Sequence, residues 1–344
     1  MQLLKDIKLS KFTTFRTGGR ARYFIRISSV EDLKKAFNLS REKELPVFIL
    51  GRGSNILVSD KGFHGLVIKN EIPGIEFENT PGRKVLVVAG AGENWDDIID
   101  SAVSRGLSGL EPLSGIPGTV GASVVQNIGA YGLEAGARLV WAEVFDPKTF
   151  LTYRISRKDC RPGYRHSIFK TKEGKHLVVT RVCFELVEKK VLEKDFTDKK
   201  ILSRIENFGD LDEITPYVLR QAVLDVRCNK LPLVQNVGTA GSFFKNPIVN
   251  VEILKELLEN YRDVPYYSLD GGDFKIPAGW LIEKVAGFKG TRFRNAGVWD
   301  QHALIIVNYG DATSSEIKTL ADTISARIKK RAGIDLEWEV DYIE

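Results

Sequence analysis

Gly241-Ser242-Phe243-Phe244-Lys245-Asn246-Pro247 joins a glycine that lets backbone approach a ligand, a hydroxyl able to pass a proton, two aromatic anchors and a Lys-Asn-Pro stop. By itself the stretch reads as a turn ahead of the helix that the apolar spacing of Val251 to Tyr261 predicts. Two other segments change its weight. One is Gly163-Tyr164-Arg165-His166-Ser167-Ile168-Phe169-Lys170, a compact run rich in cations and aromatics. The other is the end of the chain, where Leu336, Trp338, Val340 and Tyr342 alternate with Glu337, Glu339 and Asp341. A strand with that alternation carries its apolar set on one face and its three carboxylates on the other.

Working outward, Val47 to Leu50 follows Pro46 as a short buried strand and opens into Gly51-Arg52-Gly53-Ser54-Asn55, after which Ile56-Leu57-Val58 reads as another strand. A strand that opens into glycines exposes successive N–H groups, a nest suited to a diphosphate. Lys84 to Val88 is a further strand, and Glu93 to Arg105 has helical spacing with Gly106 as its stop. Gly115-Ile116-Pro117-Gly118-Thr119-Val120-Gly121-Ala122 and Gln126-Asn127-Ile128-Gly129-Ala130-Tyr131-Gly132 follow. Interleaved Ile, Val and Tyr make these poor linkers, and they read as backbone wrapped against a flat ligand. No glycine cluster completes Gly-x-Gly-x-x-Gly, so a Rossmann dinucleotide fold is not supported. Leu139 to Ile155 and His176 to Val187 read as strands on either side of the Tyr164-Arg165 loop. Glu188 to Lys200 is a charged segment broken by Phe196, and helices are expected at Thr215 to Cys228 and Ser314 to Arg331.

A chain of 344 residues implies two or three domains, and 43% hydrophobic with 28% charged residues is the composition of a soluble globular protein. No run approaches the ~20 apolar residues that span a bilayer. The opening Met1-Gln2-Leu3-Leu4-Lys5-Asp6 carries no signal-peptide core, so a cytoplasmic protein without membrane insertion is expected. Cys160, Cys183 and Cys228 form no Cys-x-x-Cys pair, which argues against a disulfide framework or a zinc site and for packing thiols. The 50 basic and 45 acidic residues alternate and leave +5, a balance that suits an anionic small ligand better than nucleic acid.

Taken together, Gly241 to Pro247, Gly163 to Lys170, the terminal Glu339 and the early Thr14-Phe15-Arg16-Thr17-Gly18-Gly19 resemble the UDP-N-acetylenolpyruvoylglucosamine reductases, over most of the chain from about Phe15 to Glu339. The resemblance implies an α+β fold. It would comprise a two-lobed FAD-binding domain of the PCMH or vanillyl-alcohol-oxidase type over 15–187, split near 72, and a C-terminal α+β substrate-binding domain over 205–330. A closing strand, 331–344, would carry Glu339. It also implies one non-covalent FAD. Gly51, Gly53, Ser54 and Asn55 would cradle the pyrophosphate. Ile116, Pro117, Gly118, Thr119 and Gly121, with Gln126, Asn127, Gly129, Ala130 and Tyr131, would line the ribityl chain and isoalloxazine. No His or Cys stands in an evident flavin-linking motif.

The chemistry implied is a flavin reduction by NADPH, followed by hydride return to C3 of UDP-N-acetylglucosamine enolpyruvate, which yields UDP-N-acetylmuramate for peptidoglycan. Arg165 matches the arginine that polarises the substrate carboxylate, a task for a planar and permanently charged fork. Glu339 matches the essential glutamate, useful there as a neutral donor, and Ser242 matches the proton donor to C2. Tyr164, Lys230, Asn246, Lys275 and His302 fall at substrate- or cofactor-contact positions, with a structural role equally open for His302, as surface exposure is for Tyr266 and Tyr267. The 77 residues from Arg165 to Ser242 leave room for the longer substrate-closing loop of one subclass. Phe196 is the gap-free counterpart of that loop's tyrosine: either the correspondence slips in this charged segment, or a lid here works by packing and by nearby Lys194 or Lys199. A monomer is expected. Two other readings stand beside this one. An FAD oxidoreductase of the same fold acting on a sugar or lactone has no reason to keep Arg165, Ser242 and Glu339 together, and a non-catalytic nucleotide-sugar binder should have lost one of them.

Overall fold

The computed structural model describes residues 2–189, 198–210 and 213–344. The chain divides into two compact units: Met1–Asp6, Arg22–Arg52 and His64–Asn229 in the first, Ile7–Ala21, Gly53–Phe63 and Lys230–Glu344 in the second. Phe196 and Lys194, named above for a lid, lie outside the described residues. No described helix is long and apolar enough to cross a membrane.

Among the described residues the first unit holds three cores. A four-stranded sheet in the order Leu3–Lys8, Arg20–Ile27, Phe63–Asn70, Val47–Leu50 packs under the helix Val30–Glu42. Ile25, Ile27, Leu33, Phe37, Leu66 and Ile68 form its interior. Val47–Leu50, expected as a buried strand, pairs in parallel with Leu66 to Lys69 at the end of the sheet, where Leu50 is buried and Val47, Phe48 and Ile49 are half-buried. A second, antiparallel sheet runs Leu151–Ser156, Leu139–Asp146, Val178–Glu188, Lys84–Gly90, Ile75–Thr80. The helix Trp95–Val103 lays Trp95 edge-on against Phe184 at 5.6 Å, with its indole N–H donating to the Leu113 carbonyl. Ile201, Ile205, Leu219, Ala222 and Val223, from the helices Lys199–Ile205 and Pro216–Lys230, make the third core.

In the second unit the antiparallel strands Gly238–Ser242, Ile305–Asn308, Ala296–Val298 and Arg292–Phe293 stand beside the helix Ser314–Ala332. Phe15, Phe243, Phe244, Ile306, Ile317 and Ile324 are buried together there. That helix begins at Thr313 with a reciprocal capping box to Glu316 and ends at Gly333, whose φ of 67° is the left-handed stop expected of a C-terminal glycine.

Two expectations are corrected. Leu139 to Ile155 is a hairpin, not one strand: Leu139–Asp146 and Leu151–Ser156 pair with Asp146 opposite Leu151. Asp146 accepts the Lys148 N–H at 2.7 Å and so closes the turn at Pro147. Leu336 to Tyr342 is not a continuous strand either. Only Asp341–Ile343 is, in parallel with Ile56–Val58, while Trp338 makes an isolated bridge to Phe244. The chain bends at Glu339 and Val340, so the period-two alternation breaks. Glu339 is buried, whereas Glu337 and Asp341 are exposed.

The start of the long helix generates a prediction. Asp60 accepts the N–H groups of Ser314 (2.8 Å) and Ser315 (3.0 Å). Desolvation alone would raise its carboxyl, but those hydrogen bonds hold it below the usual carboxylate value. Its contribution is therefore present above the unfolded value near pH 4 and is lost as pH falls through the lower folded value. Asp60→Ala should cost about 1 kcal/mol at neutral pH, with the difference from wild type narrowing below about pH 4 in denaturant titrations.

Candidate active site

In the first unit, the helix Val120–Gln126 organises most of the residues expected around a flavin. Thr119 caps it, and Gly118, Val120 and Gly121 are stitched to 91–95 through Trp95 N to Gly118 O (3.2 Å), Val120 N to Glu93 O and Gly121 N to Ala91 O (both 3.0 Å). A Cβ on Gly121 would come within 2.8 Å of the Ala91 Cβ, and one on Gly51 within 2.9 Å of the Thr119 hydroxyl. Close backbone packing thus accounts for both glycines. Lys69 donates to the Gly51 carbonyl at 2.6 Å, which orients that peptide.

Asn127 ends the helix in the left-handed region (φ 44°) and uses its whole amide. Its Nδ2 donates to Glu134 Oε2 and to the Gly163 carbonyl, each at 2.7 Å, and its Oδ1 accepts the Gly136 N–H at 2.8 Å. Gly163 and His166 exchange backbone hydrogen bonds at 3.0 Å, leaving Tyr164 and Arg165 at the tip of a two-residue turn. Arg165 there has φ 50° and donates from Nη2 to the Gly129 carbonyl at 3.1 Å. Ser167 Oγ donates to Val125 O and Lys170 Nζ to Gln126 Oε1, both at 2.6 Å. Tyr131 also has positive φ, 50°. Non-glycine residues held in this sparsely populated region cluster where function over-determines the backbone. Gln126, Asn127, Gly129, Ala130, Tyr131, Tyr164 and Arg165, expected from separate stretches, form one neighbourhood.

The second unit gathers another set. Between Thr239 opposite Val307 and Ser242 opposite Ile305 the strand register shifts, a β-bulge built on exposed Gly241 at φ 74°. Thr239 Oγ1 fixes it, donating to Ile306 O and accepting from Gly241 N. The bulge leaves Ser242 half-buried, and its hydroxyl makes no hydrogen bond among the described residues. Immediately after it, Phe243 O accepts the Glu339 N–H at 2.8 Å and Lys245 N donates to Glu337 O at 2.9 Å. Asn55 joins them, its Nδ2 donating to Glu339 O at 3.0 Å and its carbonyl accepting from Asp341 N at 3.1 Å. Gly53 (φ 66°) is buried, and a Cβ there would fall 2.2 Å from the Phe12 carbonyl. Thr14 binds the Gly53 carbonyl with its N–H and the Thr239 carbonyl with its hydroxyl. The opening motif, the glycine turn and the serine strand are therefore one hydrogen-bonded assembly. Ser54 lies beside them in sequence, half-buried.

Asn246 Oδ1 accepts the Ala278 N–H at 2.9 Å, and His302 Nδ1 accepts from Leu304 N at 3.3 Å, so both have structural duties. Lys275 lies opposite Ile248 and Tyr267 in a three-stranded sheet, and Lys230 ends the helix Pro216–Lys230. Tyr266 and Tyr267 are exposed. Cys160 and Cys183 are buried, and burial pushes their thiols up to about 12 and about 11, which makes them inert packing groups. Lys69, Lys170, Glu134 and Thr239 were not singled out by the sequence reading. Lys69, Lys170 and Glu134 act through partners 18, 44 and 7 residues away; Thr239 reaches Ile306 across the sheet, but its Thr-x-Gly just before Ser242 was a local signal.

Gln126 supplies a test of whether the residues fit an extended cofactor. Its Nε2 is buried and has no acceptor among the described residues, although Oε1 is satisfied by Lys170. A buried donor left over in a glycine-lined segment fits a group that brings its own acceptors, as FAD does.

Comparison with known proteins places most of the chain in known families. Residues 21–149 match the family model of an FAD binding domain, and residues 232–343 match that of the UDP-N-acetylenolpyruvoylglucosamine reductase C-terminal domain. The chain is 39% identical over 342 residues to the UDP-N-acetylenolpyruvoylglucosamine reductase of Chromobacterium violaceum, covering 98% of each. It is 36% identical over 344 residues to that of Flavobacterium johnsoniae, covering all of both. Among solved structures it resembles the reductase from Thermus caldophilus, with 27% identity, a TM-score of 0.69 and full coverage of both chains.

The two carboxylates near Ser242 generate a prediction. Glu339 is 8% exposed, whereas the Glu337 side chain is 71% exposed and pairs with Lys245. Glu337→Gln should stay within about 0.5 kcal/mol of wild type in stability and close to it in activity. Glu339→Gln should keep the flavin and the melting temperature while slowing flavin reoxidation by substrate. Stopped-flow traces of both variants, side by side, decide it, and equal rates would remove Glu339 from the chemistry.

Proposed function

The chain belongs to the UDP-N-acetylenolpyruvoylglucosamine reductase family, and on that premise we propose that it is a cytoplasmic, monomeric UDP-N-acetylmuramate dehydrogenase. It reduces UDP-N-acetylglucosamine enolpyruvate to UDP-N-acetylmuramate for peptidoglycan, with NADPH as reductant. The observation that carries this reading is the hydrogen bond from Glu339 N to Phe243 O, which sets a buried glutamate next to a bulged, half-buried serine.

FAD, when bound, supplies the two-electron store that takes a hydride from the nicotinamide and gives it to C3 of the enolpyruvyl group. Gly51, Gly53, Ser54 and Asn55 would hold its pyrophosphate. Ile116 to Thr119, Gly121, Gln126, Asn127 and Gly129 to Tyr131 would hold the remainder. As C3 gains hydride, negative charge accumulates on C2 and the adjoining carboxylate. The Arg165 guanidinium receives that carboxylate, and its held geometry means little reorganisation is needed when the charge grows. Glu339, buried beside the strand of Ser242, would donate a hydrogen bond to the same developing charge. Ser242 Oγ, uncommitted to any described group, delivers the proton to C2 and is reprotonated from water. Tyr164, Lys230, Asn246, Lys275 and His302 bind the remainder of the substrate or the nicotinamide.

The test of the reaction is an anaerobic titration of the NADPH-reduced protein with UDP-N-acetylglucosamine enolpyruvate. Stoichiometric reoxidation of the flavin is expected, and reduced flavin that ignores the compound would refute the assignment. Ser242→Ala should leave reduction by NADPH nearly intact and slow the second half-reaction by roughly 10²–10⁴-fold in single turnover, the range of general acid catalysis. Equal slowing of both halves would reassign Ser242 to structure.

A further inference from the structure

Apart from Lys230 at its end, the helix Pro216–Lys230 takes no part in the chemistry above, yet it carries two arginines seven residues apart on one face, Arg220 buried and Arg227 half-buried. Arg220 is 5% exposed. Its Nη1 and Nη2 donate to Asp96 Oδ1 (2.7 Å) and Oδ2 (3.0 Å), and its Nε donates to Asp100 at 3.2 Å. Asp96 Oδ1 accepts one more donor, the N–H of Gly115 at 2.7 Å. The carbonyl of the same Gly115 accepts from Arg227 Nη2 at 3.2 Å, and Tyr131, whose phenol faces the charge of Arg227, packs against the core that this helix forms. Both polar groups of one glycine are thus held by side chains, at the head of the loop that leads into the capped helix Val120–Gln126.

We propose that the helix Pro216–Lys230 is a positioning element for the cofactor: through Asp96 and Arg227 it sets the Gly115 peptide and the Tyr131 turn in the conformation that receives FAD. This rests on the flavin reading of the preceding section. Gly115 has φ 70°, and a Cβ on it would lie 2.9 Å from Leu224 Cδ2, so the helix also presses against it. A loop rich in glycine loses more conformational freedom on ordering than any other, and each peptide fixed beforehand removes that loss from the binding step. Arg220 makes the anchor rigid. It pins both Asp96 oxygens, and its own burial is compensated by two carboxylates. Burial alone would raise the Asp96 carboxyl, but the hydrogen bonds from Arg220 and Gly115 and the charges of Arg220 and Arg227 hold it below the usual value. It therefore stays ionised, and both oxygens remain acceptors at neutral pH.

Asp96 offers a way to separate positioning from stability. Asp96→Asn keeps Oδ1 for the Gly115 N–H but loses the ion pair; Asp96→Ala loses both. Each variant, as full-length chain stripped of flavin, is titrated with FAD by fluorescence quenching, and its melting temperature without flavin is recorded. Both should melt lower than wild type. Asp96→Asn should bind FAD within about threefold of wild type, and Asp96→Ala about tenfold or more weakly, the loss of one loop hydrogen bond. Tyr131→Phe and Arg227→Met, singly and together, provide a second reading that does not disturb the buried pair. The double variant should weaken FAD binding less than the product of the single effects. Equal FAD affinities for Asp96→Asn and Asp96→Ala, or multiplicative effects of Tyr131 and Arg227, would overturn the proposal and leave the flavin reading standing. A wild-type chain that takes up no FAD would overturn both.

Discussion

The contact on which the second unit depends is the short antiparallel pairing of 243–245 with 337–339, centred on the bridge from Phe244 to Trp338. Phe243 anchors it in the core, edge-on to Trp338 at 4.8 Å and to Phe15 at 6.2 Å. With those rings fixed, the residue before Phe243 and the residue after Trp338 have little freedom. They are Ser242 and Glu339. The parallel strand Asp341–Ile343 then ties the chain end to Ile56–Val58, and Asn55 is held there by one hydrogen bond to the Glu339 carbonyl and one from the Asp341 N–H. Aromatic burial supplies the stability, and the polar groups take their places from it.

In the first unit a single amide does comparable work. Asn127 closes a helix, anchors the loop at Gly136 and holds the Gly163 carbonyl at the base of the Arg165 turn. An asparagine is suited to this because it tolerates positive φ and offers donors and an acceptor at once. Arg165 therefore presents its charge from a turn that is hydrogen-bonded on both strands and reinforced by Ser167 and Lys170. A flexible arginine would have to be ordered each time it met an anion; here the ordering is done by folding.

Charge placement follows the same rule. The described ion pairs that are exposed, such as Lys318 with Asp322 and Arg161 with Glu173, belong to a solvated surface where pairs contribute little. The pair that is costly to bury, Arg220 with Asp96, stands under the glycine loop expected to meet the cofactor.

Local pattern was enough for much of this protein. Period-two and 3.6-residue spacing located Val47–Leu50, Ile56–Val58 and the helices near Val251 and Ser314, because burial on one face imposes those periods on any chain. The motif residues Gly53, Arg165, Ser242 and Glu339 were legible as well, since a glycine at a close approach or a cation beside aromatics is a chemical statement in itself. Alternation failed at Glu339, because a bend at 339–340 is decided by what Phe243 and Asn55 offer across the fold and not by neighbours in sequence. Likewise the turn at Pro147, the bulge that aims Ser242, the Lys69 and Lys170 contacts and the two arginines of the Pro216 helix depend on partners between two and more than a hundred residues away. Sequence alone determined where most elements lie and nominated the side chains proposed for the chemistry. Tertiary structure decided where each polar group is satisfied, because a hydrogen bond needs its partner in place and only the packed chain puts it there.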